Sequence, residues 1–258
     1  MTIEIHEKAA IGFDRASDAY ESGRPDYPVE AIDFLVKQFD IKPSSQMVDL
    51  AAGTGKFTKY LFPFNNHVIA IEPVERMRQK FSSLYPAMQV LNGSAEYIPV
   101  VTESIDVVTV AQGFHWFNGE KALSEIRRVL KPKGKLGLIW NVRDESVSWV
   151  RELSQIIDPY EGSTPRYTSM IWKEAFDDTP YFSPLRHSVF TYTHISTIET
   201  ILDRVNSISF ISALPEQDKK YVATQVKRLI ENHPSTRNLA QIPFPYLTHI
   251  YCTEKLLS

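Results

Sequence analysis

The sequence predicts an α/β protein built on a doubly wound, mostly parallel, seven-stranded sheet with helices on both faces. Three observations lead to this fold class. Short apolar segments alternate with helical segments between residues 47 and 141, as in the βαβ units of a parallel sheet. Prolines and glycines mark the boundaries of these segments. After residue 142, helical segments between two further strands predict a helical cap inserted in the C-terminal half.

The first half of the chain opens with a helix that begins at Pro28, since proline is well suited to the first turn of a helix. Its apolar residues are expected on one face, and they are Val29, Ile32, Phe34, Leu35 and Phe39. Five strands are then predicted, at 47–50, 67–71, 89–91, 105–111 and 135–141. The helices between them are predicted at 56–62, 74–85 and 119–130.

The second half is predicted to be mostly helical, with helices at 147–157, 169–176, 195–205 and 216–232. Two segments rich in β-branched and aromatic residues, at 185–193 and 246–255, complete the seven strands. The order of these elements suggests that the helices between the last two strands cover the carboxyl edge of the sheet.

Composition narrows the class of protein. A chain of 258 residues can bury a large core without disulfides, and its single cysteine, Cys252, excludes an internal one. No apolar run approaches the roughly 20 residues that span a bilayer, and a net charge of −3 disfavours a nucleic-acid partner. The histidines show no metal-binding spacing. We therefore expect a cytoplasmic monomer or homodimer with no metal, no membrane association and no nucleic-acid partner.

The strongest local signal lies between Asp49 and Thr58, where a strand ends and a helix begins. Small residues there let the backbone turn sharply and approach a ligand closely. Glu72 ends the next strand, 19 positions after Gly53, where an acid can accept hydrogen bonds from ribose hydroxyls. The phosphate-loop pattern is absent, and Thr58 replaces the third glycine of the dinucleotide fingerprint. These residues predict an adenosine ligand without phosphates.

Five segments then resemble, in order and spacing, the motifs of class I (Rossmann-like) S-adenosylmethionine-dependent methyltransferases. They read DLAAGTGKFT, IEPVERM, NGSAEYIP, IDVVTVAQGFHWF and LKPKGKLGLIW. The opening FDRASDAYESGRPDYP resembles the small-molecule branch that includes trans-aconitate methyltransferase, so that the resemblance covers about residues 10–142. One departure is Ala51, where that family usually has glycine.

The resemblance implies that S-adenosylmethionine is the cofactor. Residues expected beside its methionine part and methyl group are Tyr20, Arg24, Asp49, Ala51, Gly53, Thr54, Gly55, Gln112, Gly113, His115 and Trp116. Residues expected beside its ribose and adenine are Glu72, Pro73, Met77, Ser94, Ala95 and Glu96. Tyr20 and Arg24 either close over the cofactor, with Arg24 facing its carboxylate, or simply form a capping turn.

The implied activity is in-line transfer of the methyl group to a small molecule, on a carboxylate or a hydroxyl oxygen. Residues 1–142 are expected to form a cofactor-binding core with an N-terminal lid, and residues 143–258 the last strands and a cap that selects the acceptor. Acceptor contacts are expected from Trp116, Trp140, Asn141 and Arg143, which follow the fourth and fifth strands.

His115 is the best candidate for a catalytic base, but the sequence shows no partner that would orient it, which favours packing among its aromatic neighbours instead. A carboxylate acceptor needs no base. One alternative is a regulatory or scaffold protein that binds the cofactor without turnover. Another, a nucleic-acid or protein methyltransferase, is disfavoured because the loop after the fourth strand lacks an Asn-Pro-Pro-Tyr-type sequence.

Overall fold

The computed structural model describes residues 23–64, 67–177 and 179–257. Its strands are β1 (Met47–Leu50), β2 (Val68–Ile71), β3 (Gln89–Leu91), β4 (Ile105–Ala111), β5 (Leu130–Arg143), β6 (Arg186–Ser196) and β7 (Ile242–Glu254). They form one sheet in the order β3-β2-β1-β4-β5-β7-β6. Strands β1 to β5 pair in parallel, and β7 runs antiparallel to both β5 and β6. The predicted fold class is confirmed.

The helices are α1 (Val29–Gln38), α2 (Thr58–Leu61), α3 (Glu75–Leu84), α4 (Gly119–Val129), α5 (Ser148–Ile157), α6 (Ile198–Asn206), α7 (Ser209–Ser212) and α8 (Glu216–Asn232). Short 3-10 turns lie at Phe114–Trp116, Asp158–Tyr160, Tyr167–Ser169 and Ile171–Phe176. In the described part of the chain, no helix has the length and apolar content that crossing a bilayer demands. The expectation that Val29 lies on the buried face of α1 is wrong: Val29 is the first helical residue and is 65% exposed.

Both faces of the sheet are covered, because successive side chains of a strand point to opposite sides. Val108 and Val110 of β4 belong to the core that also contains the apolar face of α4. Val107 belongs to the opposite core, together with Leu35 of α1. All four residues of β1 are therefore buried, as expected for a parallel strand between two helical layers.

A third core lies at the carboxyl edge of the sheet. Helices α5, α6 and α8 share it with Ile242, Phe244 and Tyr246. These three residues open β7, and Tyr246 pairs with Arg143 at the end of β5. The described helices thus occupy the place expected for the cap. The division of the chain at residue 142 stays a prediction.

Several element boundaries differ from those predicted. The expected helix at 195–205 begins later, because β6 runs to Ser196 and Thr197 then caps α6 through reciprocal hydrogen bonds with Thr200. The expected helix at 169–176 is two 3-10 turns, since Met170 adopts a left-handed conformation with φ 58°. Strand β7 begins four residues earlier than the predicted 246, at Ile242, where the cap helices bury it.

Candidate active site

The loop between β1 and α2 turns on three left-handed residues: Ala51, Gly53 and Gly55, with φ of 56°, 58° and 87°. A Cβ at Gly55 would lie 2.7 Å from the Phe81 ring, so this glycine is needed for packing against α3. A Cβ at Gly53 would meet nothing within 4 Å. Gly53 therefore borders open space, as the close approach of a ligand to the backbone requires.

Glu72, just beyond the end of β2, contacts this loop directly. One carboxylate oxygen accepts a hydrogen bond from Gly53 N at 2.9 Å, and the other accepts from Val74 N at 2.9 Å. A carboxylate can accept about four hydrogen bonds, so both oxygens retain capacity for ribose hydroxyls. Glu72 is only 5% exposed. Its burial raises the pKa of the carboxyl to about 7, although the two amide donors oppose the shift.

Asp49 braces the loop from within β1. Its Oδ2 accepts from the Thr58 hydroxyl at 2.6 Å, and its Oδ1 accepts from the Thr109 hydroxyl at 2.9 Å. The side chain is buried, and burial raises its pKa to about 6. These bonds tie β1 to the start of α2 and to β4. A contact between Asp49 and the ammonium group of a cofactor stays a prediction.

The loop after β4 packs on the loop after β1. Gln112 has φ 62° and donates its backbone N–H to Ile139 O at 2.8 Å. A Cβ on Gly113 would lie 3.1 Å from the Ala51 methyl. The two loops therefore meet where the strand order reverses between β1 and β4, which is where open α/β sheets bind ligands.

Replacing Ala51 by glycine is expected to raise the free energy of unfolding by about 1 kcal/mol. A residue with a Cβ is strained in the left-handed region, whereas glycine is not. Urea denaturation measures the change. The matched control is Ala52→Gly, at a position outside the left-handed residues, where greater freedom of the unfolded chain should lower stability instead. Equal losses in both variants would contradict the strain at Ala51.

The residues expected around adenine follow β2 and β3, at the carboxyl edge of the sheet. Ser94 and Ala95 are buried, and Glu96 Oε1 accepts from Asn118 N at 2.9 Å. Pro73 follows Glu72, and the Met77 side chain is buried on α3. Their contacts with a cofactor stay predictions. Tyr20 lies outside the described residues.

A cavity of about 130 Å³ lies between the loop after β4 and the cap. Its lining brings together seven residues singled out in the sequence: Arg24, Gln112, His115, Trp116, Trp140, Asn141 and Arg143. Sequence reasoning missed other lining residues, among them Glu145, Arg166, Arg204 and Phe210. Gly53 and Glu72 lie outside this lining, so the cavity is a second compartment of the candidate site.

His115 has an orienting partner that the sequence did not reveal. Trp140 Nε1 donates to His115 Nδ1 at 3.1 Å, so the neutral imidazole carries its proton on Nε2. Desolvation, followed by the charges of Arg24 and Arg166, lowers the pKa of His115 to about 3. The ring is therefore neutral at physiological pH and offers an N–H donor from Nε2. A base role for His115 stays a prediction that this geometry disfavours.

Two other expected acceptor residues are held by the protein itself. The Trp140 ring is buried against Trp172 and Tyr167, with centroid distances of 4.5 and 5.0 Å. Asn141 donates to Asp26 O at 3.0 Å and accepts from the Thr248 hydroxyl at 2.6 Å. The Asn141 bond holds the segment before α1 at the end of β5, and the ring contacts of Trp140 hold the turns of the cap there. Both residues shape the cavity wall.

Comparison with known proteins identifies relatives of the chain. Residues 48–138 match the model of a family described as a methyltransferase domain. An uncharacterized methyltransferase-like protein of Schizosaccharomyces pombe is 38% identical and is covered over 92% of both chains. The structure of YcgJ from Bacillus subtilis has a TM-score of 0.56 at 18% identity, covering 90% of this chain and 100% of that one.

A third similar protein is an N-methyltransferase of Haemonchus contortus in complex with phosphomonomethylethanolamine and S-adenosylhomocysteine. Its TM-score is 0.54 at 13% identity, and the match covers 93% of this chain and 57% of that one. The likeness to both solved structures concerns the fold.

Proposed function

The chain belongs to the S-adenosylmethionine-dependent methyltransferases, and from that premise we propose that it methylates a small molecule bound in the cavity beside His115. The acceptor atom is a carboxylate or hydroxyl oxygen. Residues 1–142 hold the cofactor, and residues 143–258 enclose the acceptor. This division is supported by the cavity, whose walls come from the loop after β4 and from residues of the cap.

The contact between Gly53 and Glu72 carries the proposal. The bare backbone of Gly53 faces open space, and the Glu72 carboxylate is held beside it by the Gly53 N–H. This arrangement suits a ribose with two hydroxyls and leaves no room for a side chain between ligand and loop. The absence of a phosphate-loop pattern supports an adenosine ligand that lacks phosphates.

S-adenosylmethionine supplies a methyl group on a sulfonium, so the protein's task is alignment and exclusion of water. Gln112 and Trp116 lie where the loop after β4 meets the cavity. His115, oriented by Trp140, offers its Nε2–H to an acceptor oxygen. A carboxylate acceptor is already ionised at neutral pH, so its methylation requires no base.

Calorimetric titration with S-adenosylmethionine, followed by turnover against a library of small acids and phenols, tests the proposal. We expect binding and a methylated product detected by mass spectrometry. Binding with no product across the library would favour the alternative of a cofactor-sensing or scaffold protein. No binding at all would refute the assignment of the loop after β1.

The affinity for S-adenosylmethionine is expected to rise about tenfold from about pH 6 to about pH 8. The pKa of Glu72 is raised to about 7 in the folded chain, so the carboxylate that accepts ribose hydroxyls is populated only as pH increases. Calorimetry across this range measures the change. Glu72→Gln removes the titration and should give a flat profile. An unchanged slope in that variant would assign the pH dependence to another group.

His115→Gln is expected to retain kcat within about tenfold of the wild type, because the glutamine amide supplies a donor near the position of Nε2. Loss of a general base would instead reduce kcat by about 10²- to 10⁴-fold. The measurement uses an acceptor found in the library and includes a pH profile. A fall of 10²-fold or more, together with the loss of one limb of the pH profile, would restore the base role.

A further inference from the structure

Guanidinium groups dominate the charge of the cavity beside His115. Four arginines line it, Arg24, Arg143, Arg166 and Arg204. Glu145 is the one carboxylate among the described lining residues, and its Oε1 accepts a hydrogen bond from the Ser154 hydroxyl at 2.7 Å. A small cavity with an excess of cations in its walls concentrates anions.

Arg143 is the arginine of this lining that lies at the end of β5, and its side chain is only 8% exposed to solvent. Its Nε has no hydrogen-bond partner among the described residues. Among the described residues, the nearest carboxylate is that of Asp158, whose Oδ1 lies 3.8 Å from Nη2 of Arg143, beyond hydrogen-bonding distance. A buried N–H of a charged group is costly to leave without a partner.

Arg166 lies beside Arg143 and is held by two carboxylates. Nη1 of Arg166 binds Asp158 Oδ1 at 3.0 Å and Glu161 Oε2 at 2.5 Å. The same Asp158 oxygen therefore lies between the guanidinium groups of Arg143 and Arg166. Desolvation, followed by the charge of Arg166, lowers the pKa of Arg143, and Asp158 acts against that shift. A bound anion would supply a hydrogen-bond acceptor for Arg143 and would balance its charge.

We propose that Arg143, with Arg166 beside it, binds an anionic group of the acceptor, a carboxylate or a phosphate, and thereby selects anionic acceptors. This inference rests on the proposed function, because it concerns the acceptor of that methyl transfer. Planar guanidinium groups bind both anions through paired hydrogen bonds. Trp116, Tyr167 and Phe210 are among the apolar side chains of the lining.

Binding of matched probes tests the inference without requiring turnover. Benzoate, phenyl phosphate and the neutral benzyl alcohol are titrated into the full chain in the presence of S-adenosylhomocysteine. Tryptophan fluorescence is a direct readout, since Trp116 and Trp140 line the cavity. We expect at least one anion to bind about tenfold or more tightly than benzyl alcohol. The anion that binds more tightly identifies carboxylates or phosphates as the natural acceptor group.

Arg143→Met should weaken binding of the preferred anion by about 10- to 100-fold, the range for hydrogen bonds to charged groups. Benzyl alcohol binding should be unchanged. The matched control is Arg228→Met, at an exposed position of α8 outside the cavity lining, which should change anion affinity by less than twofold. Arg143→Lys keeps the charge but loses the planar guanidinium, and should weaken anion binding to an intermediate degree. It provides the test if Arg143→Met does not fold.

Equal affinity for benzoate, phenyl phosphate and benzyl alcohol would overturn the inference, and so would unchanged anion binding in both Arg143 variants. A parallel titration with S-adenosylhomocysteine alone separates this result from failure of the proposed function. Cofactor binding without anion preference would refute only the inference. Anion preference without cofactor binding would support an anion site at Arg143 but refute the proposed function, and with it the assignment of the anion as a methyl acceptor.

Discussion

A Gly53→Val variant is expected to lose measurable S-adenosylmethionine binding while remaining folded. Gly53 lies in the left-handed region, with φ 58°, and faces open space beside Glu72. A valine side chain would project into that space, where the cofactor must approach the backbone. Calorimetry measures binding, and circular dichroism with thermal denaturation measures folding.

Backbone strain alone does not produce this result, and Gly162 provides the control. Gly162 has φ 55°, and a Cβ there would also meet nothing within 4 Å. Both valine variants should lose about 1–2 kcal/mol of stability because each places a branched residue in the left-handed region. Only Gly53→Val should lose the cofactor. If both variants bind it as the wild type does, the loop after β1 does not hold the cofactor.

Replacing Glu72 by alanine is expected to weaken cofactor binding by about 1–3 kcal/mol, or about 5- to 150-fold, the range for hydrogen bonds to a charged group. The variant also removes the acceptor of the Gly53 and Val74 amides. Two partly buried donors then lack their partner, so stability should fall by a comparable amount. Equilibrium denaturation and calorimetry on the same preparations separate the two effects.

Glu75→Ala is the matched control for this substitution. Glu75 is exposed on the first turn of α3, three residues after Glu72, and its carboxylate accepts one hydrogen bond, from Gln79. Its removal should leave cofactor affinity within twofold of the wild-type value. Normal binding by Glu72→Ala would exclude this carboxylate as the ribose acceptor, whatever the effect on stability.

Much of the fold could be predicted because its signals are local. The strands of the first half are short apolar runs that end at turns, and their bounds agree with β1 and β4 to the residue. Gly53 and Glu72 were also expected at one ligand site, since two parallel neighbouring strands bring their carboxyl ends to one edge. The direct hydrogen bond between them was not predicted.

The cavity could not be predicted in the same way. Arg166 follows Pro165 in a segment without a regular periodic pattern, and Arg204 lies on α6, more than 60 positions after Arg143. Only the packing of the cap on β7 brings these side chains together. The role of Trp140 was similarly hidden, because a hydrogen bond to His115 across 25 positions leaves no mark in the residue spacing of β5 or of the turn at Phe114–Trp116.

The direction of β7 has a mechanical consequence. The chain leaves the sheet through β6, forms α6 to α8, and returns through a strand whose first residues lie under those helices and whose last residues pair alongside β5. One thirteen-residue strand thus packs against the helices of the cap and also pairs with the central sheet. A rigid-body rotation of these helices away from the sheet would break backbone hydrogen bonds of β7. We therefore expect ligands to enter through small movements of the residues around the mouth of the cavity.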